Sequence, residues 1–136
     1  MTPVVLTHHV PAPPAAVYAA WTSAELLATW WWPHLPDTTY QIDARIGGSY
    51  RIRSEAAGIG ARGRFTELDE PHRIGMTWIW ETGEELSPED TVTVDFGEQD
   101  GGTLVTVTHV VVTPGADTSG LRQGWSDVLA RLGLLR

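Results

Sequence analysis

Hydrophobic and polar positions change period along this chain, and the changes mark its elements. Val4 to Val10 is a short, largely apolar run that reads as a strand. Pro11, Pro13 and Pro14 break it. Pro14 suits the first turn of a helix, where its missing N–H costs nothing, and Val17, Ala20, Trp21 and Ala24 follow at helical spacing. Ser23 is placed to cap a second helix carrying Leu26, Leu27, Trp30 and Trp31, with Pro33 and Pro36 ending it.

Beyond Pro36 the period becomes two. Tyr40, Ile42 and Ala44 alternate with polar residues, Gly47-Gly48 makes a tight turn, and Tyr50 and Ile52 alternate with Arg51 and Arg53. Ala61 to Leu68 is a further strand, and Asp69-Glu70-Pro71 a turn. Ile74, Met76, Trp78 and Trp80 then share one face, opposite Arg73, Thr77 and Glu81. Thr82 to Asp90 reads as a solvated acidic loop. Val92, Val94 and Phe96 repeat the alternation, Asp100-Gly101-Gly102 signals a hairpin, and a last strand runs from Thr103 to about Val112. From Ala116 to Leu135 the pattern is helical again, with Leu121, Trp125, Val128, Leu132 and Leu135 forming a stripe that Gly120, Gly124 and Gly133 weaken.

Sequential hairpins imply an antiparallel sheet with its helices on one face, an α+β fold in which the apolar sheet face meets the last helix. The expectation is one domain over residues 1–136. The N-terminus lacks the basic region and apolar core of a signal peptide, and no run reaches the roughly 20 apolar residues of a membrane span, so a cytoplasmic protein without a membrane partner is expected.

The aromatic content changes the picture. Seven tryptophans occur in 136 residues. Several fall on faces predicted to point inward. Trp78 and Trp80 share a strand face, Tyr50 and Phe96 have the matching parity on other strands, and Trp125 lies in the last helix's stripe. Trp30 and Trp32 belong to a triple at the end of the second helix. Rigid aromatic surface lines small-molecule sites, and it also fills cores. Trp30, Trp32, Tyr50, Trp78, Trp80, Phe96, His109 and Trp125 are therefore the candidate ligand-binding residues, and the expected partner is a small hydrophobic or aromatic molecule.

Candidate chemistry is sparse. There is no cysteine and no lysine, which removes thiolate and Schiff-base chemistry. The formal charge of −8 disfavours nucleic acid. His8 and His9 are adjacent on a strand and face opposite ways, so no metal or other cofactor is expected. His109 continues the Val105 and Val107 face of the last strand. It is the one candidate for general acid/base chemistry, with a structural histidine bonded to a neighbouring strand or to the closing helix as the preferred reading. Glu67 is expected to pair with Arg45 or Arg51, and Asp43 with Arg45, as surface ion pairs of under about 1 kcal/mol.

The stretch VPAPPAAVYAAWTSAELLATWWWP resembles the N-terminal signature of the domain homologous to the activator of the heat-shock-protein ATPase. IDARIGGSYRIR, GRFTELDEPHRIGMTWIWE, DGGTLVTVTH and GWSDVLARL resemble its later segments in the same order. That family belongs to the START-like (SRPBCC) superfamily, with polyketide cyclases and the birch pollen allergen. The resemblance implies a helix-grip fold, with a curved antiparallel sheet of about seven strands around a long C-terminal helix and two short helices after the first strand. It also implies a cavity between sheet and helix. Where the family carries Trp-Trp-Gly-Pro this chain has Trp31-Trp32-Pro33, so that Trp32 stands in place of the small residue and narrows the pocket mouth. The functions the resemblance allows are small-molecule binding first, a cyclase- or hydrolase-like enzyme using His109 second, and a co-chaperone third. The co-chaperone ranks last because the full activator has an additional N-terminal domain for which this chain has no room. A monomer or homodimer is expected.

Overall fold

The computed structural model describes residues 2–35 and 37–134. Strand β1 (Thr2–Val10) leads into α1 (Pro14–Thr22) and α2 (Ala24–Leu27). Strands β2 (Thr38–Ile42), β3 (Ser49–Ser54), β4 (Ile59–Asp69), β5 (Arg73–Thr82), β6 (Glu85–Leu86), β7 (Asp90–Gln99) and β8 (Gly102–Val111) follow, and α3 (Ser119–Leu132) closes the chain. The sheet order is β1-β8-β7-β5-β4-β3-β2, antiparallel throughout, with the short β6 paired to β5.

The turns obey the chemistry of their residues. Between β7 and β8, Asp100 and Gly101 both take positive φ, 49° and 75°, which is the backbone of a tight two-residue hairpin. Gly47 has φ 82°, and a side chain on Gly48 would run into the Asp43 carbonyl, so both glycines are required for the β2–β3 crossing. A register shift between Phe65 and Glu67 bends β4 and adds to the curvature of the sheet.

Alternation puts Ile74, Met76 and Trp78 of β5, Val92, Val94 and Phe96 of β7, and Val105 and Val107 of β8 in the core. Helix α3 covers them with Trp125, Val128, Leu129 and Leu132. Leu121 is only partly buried, and Leu135 and Pro36 lie outside the described residues. Helix α2 departs from expectation. Ser23 caps it through its Oγ, which accepts from the Leu26 N–H at 3.3 Å, but the helix stops at Leu27. Trp30 and Trp31 therefore sit in irregular turns beyond its end.

The outer face of the sheet carries a charge cluster. Glu81 is 3% exposed and accepts from Arg51 (3.0 Å) and Arg53 (3.1 Å), with Arg62 at 3.4 Å. Burial pushes its carboxyl up, and the guanidiniums of Arg51, Arg62 and Arg53 together outweigh this and hold it below its ordinary value. Arg51 is thus engaged by Glu81, and Glu67 pairs instead with Arg73 at 3.1 Å. The reason is register: Glu67 sits opposite Gly75, two residues from Arg73 on the same face of β5. Asp43 and Arg45 pair at 2.8 Å as expected.

Candidate functional site

Nine apolar and aromatic residues surround a cleft between the β2–β5 half of the sheet and the α1–α2 segment. Its floor is Ile42, Tyr50, Ile52, Phe65, Met76 and Trp78, and its roof is Trp21, Leu27 and Trp31. Among the described residues no charged side chain lines it. The free volume for water-sized atoms is about 20 Å³. That is room for roughly one water molecule and not for an aromatic ring. Trp31 joins the roof to the rings around it, with its ring centroid 5.6 Å from Trp78, 5.3 Å from Trp125 and 5.9 Å from Trp32.

Of the eight residues named from the sequence, Tyr50 and Trp78 line this cleft. The others lie elsewhere. Phe96 packs under α1 against Tyr18 (5.7 Å) and Trp21 (6.3 Å), because β7 runs beneath that helix. Trp30 turns inward and donates its indole N–H to the Ala20 carbonyl at 3.0 Å. Trp80 is half-buried and borders a separate hollow with Ser87, Pro88, Thr118 and Leu121. Trp32 is half-buried against Trp31. Trp125 stands behind the lining, in contact with Trp21, Trp31 and Trp78. The closing helix therefore supports the cleft without lining it, whereas the sequence suggested a cavity directly beneath its stripe.

Strand parity could have supplied the floor. Ile42, Ile52, Phe65 and Met76 share the face of Tyr50 and Trp78, and their register pairs confirm it: Tyr50 opposes Ile42 and Gly63, and Phe65 opposes Met76. The roof was harder to find, because the chain that carries Trp31 is irregular.

Trp32 has φ 50°, in the left-handed region that bulky residues seldom enter. The structure thus gives a reason for the glycine of the related motif. The position demands a backbone that glycine adopts freely, and a tryptophan holds it at a cost of about 1–2 kcal/mol. The carbonyl of Trp31, immediately before it, accepts a hydrogen bond from the Tyr40 hydroxyl, which ties this turn to β2.

His109 is fully buried and bonded on both sides. Its Nδ1 accepts the indole N–H of Trp125 at 3.2 Å, so its Nε2 carries the proton and donates to Asp90 Oδ2 at 2.8 Å. Asp90 Oδ1 accepts from the Val112 N–H at 3.1 Å. Burial pushes the imidazole pKa down, and Asp90 opposes it without reversing the shift. This chain of bonds pins α3 to β8 and β7, and it leaves neither ring nitrogen for a substrate. The acidic run Thr82 to Asp90 has the composition of a solvated loop, yet Asp90 opens β7 on the inward parity of Val92 and Val94 and is buried.

The tryptophans divide by their N–H partners. Trp30 and Trp125 have acceptors, whereas the indole nitrogens of Trp21, Trp31 and Trp78 are buried without one. An unpaired buried donor costs about 1–3 kcal/mol. These three residues are the tryptophans that line the cleft. The Tyr50 hydroxyl, by contrast, donates to the Thr77 carbonyl at 2.5 Å, and any side chain at Gly63, opposite Tyr50, would collide with that carbonyl. Among the described residues no group of three or more His, Cys, Asp or Glu side chains could hold a metal ion, and no helix is long and apolar enough to cross a membrane.

A curved antiparallel sheet with two short helices after its first strand and a C-terminal helix across one face defines a helix-grip, START-like protein. The chain belongs to the family described as activator of Hsp90 ATPase homolog 1-like protein, whose model matches residues 11–135. Solved structures share the fold. A protein from Rhizobium leguminosarum is 25% identical with a TM-score of 0.81, the match covering 98% of this chain and 92% of that one. DynU16, a protein in the dynemicin biosynthetic locus, is 23% identical with a TM-score of 0.80 over 96% of this chain, which spans only 45% of that protein. An HSP90 activator from Plasmodium falciparum is 21% identical with a TM-score of 0.72, covering 97% of this chain and 94% of the other. Among curated proteins none matches the sequence.

Proposed function

We propose that the chain, as a single domain, binds a small, flat, apolar or aromatic molecule in the cleft between β2–β5 and the α1–α2 segment. The observation that carries this reading is the lining: aromatic and aliphatic side chains with no charge, set between two layers that meet through tryptophan rings. Aromatic surface of this kind recognises ring systems by area and shape. In the closed arrangement Trp31 fills the space a ligand would need. Its backbone is held just beyond the end of α2, the N–H bonded to the Leu27 carbonyl at 2.9 Å and the carbonyl to the Tyr40 hydroxyl, so the roof opens by a change of the Trp31 side-chain rotamer, which breaks neither bond. Both ring nitrogens of His109 are already engaged, Nδ1 by the Trp125 indole N–H and Nε2 by Asp90, and this argues for binding over catalysis, since a general acid/base needs a nitrogen in reach of the substrate.

The test is a titration of two-ring aromatic compounds, followed by intrinsic tryptophan fluorescence, against wild type and Trp31→Ala. Wild type is expected to bind at least one compound below about millimolar, roughly −4 kcal/mol. Trp31→Ala, with the roof opened, is expected to bind more tightly. Absence of binding by both proteins would overturn the proposal.

A further inference from the structure

We propose that the molecule bound in the cleft is a neutral aromatic carrying a hydrogen-bond acceptor oxygen, such as an aryl ketone, quinone or aryl ester, and that this oxygen is seated by the indole N–H groups of the lining. The inference rests on the binding reading above and goes beyond it by naming the ligand's chemistry. Five tryptophans of this protein are buried, and their hydrogen bonding sorts them by location. Trp30 and Trp125, outside the cleft, are paired with Ala20 and His109. Trp21, Trp31 and Trp78, on its wall, are not. Indole offers a donor and no acceptor, so three such walls ask for an acceptor from the guest.

The rest of the lining narrows the class. Among the described residues no arginine or histidine lines the cleft, and the protein as a whole is acidic, so an anionic oxygen would be desolvated without a counter-charge. A guest that donates fares little better. The Tyr50 hydroxyl spends its proton on Thr77, and among the described lining residues the only side-chain acceptors are the oxygen of that hydroxyl and the weak thioether of Met76. Donor-poor, neutral and acceptor-bearing is the remaining description. Trp31 belongs both to the displaced roof and to the unpaired set, so a guest oxygen would supply the partner its N–H lacks in the closed state.

Four shape-matched compounds test this by equilibrium dialysis: 1-indanone, indane, 1-indanol and indane-1-carboxylate. Wild type is expected to prefer the ketone to the hydrocarbon by at least about ten-fold, with the alcohol between them and the carboxylate weakest. Trp31→Phe and Trp78→Phe keep a ring and delete a donor, so each is expected to retain indane binding while the ketone preference shrinks. Trp80→Phe, outside the cleft, should leave the preference intact. Equal or tighter binding of indane by wild type overturns the acceptor inference while leaving the binding reading standing. So does a ketone preference that survives in both Phe variants. Failure of all four compounds to bind wild type overturns the binding reading and this inference together.

Discussion

Trp125→Phe is the perturbation that isolates what fastens the closing helix. Trp125 is 2% exposed and makes two separable contributions. Its ring packs against Trp21, Trp31 and Trp78 at centroid distances of 6.1, 5.3 and 5.2 Å, and its N–H is the donor to His109 Nδ1. Phenylalanine keeps much of the packing and removes the donor. Stranding a fully buried acceptor costs about 1–3 kcal/mol, and the lost part of the indole adds about 1 kcal/mol of apolar burial. The expected loss is therefore about 2–4 kcal/mol. In a domain of this size each kcal/mol moves the melting temperature by roughly 3–5 °C, so a fall on the order of 10 °C is expected by circular dichroism. Full truncation, Trp125→Ala, should cost about 3–5 kcal/mol. The partition can be checked with His109→Leu. In the double variant no acceptor is stranded, so the two losses should sum to more than the measured one by about 1 kcal/mol or more. A Trp125→Phe protein melting within a degree or two of wild type, or strict additivity in the cycle, would refute the latch.

Three further outcomes follow from the same geometry. His109 is held neutral by burial, so its folded pKa lies below the unfolded value of about 6.5; the unfolded chain binds more protons below that pH, and stability should fall as pH drops from 7 towards 5, with a smaller slope in His109→Asn. Glu81 has the opposite protonation chemistry and the same direction: its folded pKa is depressed, its stabilisation is complete above the ordinary carboxyl range and is lost as pH falls below about 4, and Glu81→Gln should flatten the acid limb of the urea-midpoint profile. Trp32→Gly should relieve the left-handed strain of about 1–2 kcal/mol while losing a half-buried ring contact, leaving thermal stability nearly unchanged and raising the association rate of indanone in stopped-flow mixing; a slower association would show that the ring does not obstruct the mouth.

Strand alternation carried most of the architecture, because a sheet with one buried face writes a period of two into its sequence. Tyr50 and Trp78 were legible for the same reason. The roof of the cleft was not. Leu26, Leu27, Trp30 and Trp31 have helical spacing, but α2 ends at Leu27 and the following rings are directed by packing against Trp21, Trp78 and Trp125. Local periodicity does not encode such long-range contacts. Asp90 was hidden by its acidic neighbours, although its parity with Val92 and Val94 was a usable signal. Glu81 lies on the outward parity, and its burial comes from arginine side chains folding over it, which alternation alone does not reveal.

The central claim is that a guest enters between the sheet and the α1–α2 segment and meets the indole N–H groups there. Two-dimensional ¹⁵N–¹H spectra resolve indole N–H resonances individually, and assignment by single Trp→Phe variants makes a titration with 1-indanone decisive. The resonances of Trp21, Trp31 and Trp78, which lack acceptors, are expected to show the largest displacements and to move downfield, while those of Trp30 and Trp125, already bonded to Ala20 and His109, move least. Largest changes at Trp32 and Trp80, or no change at saturating indanone, would contradict the account.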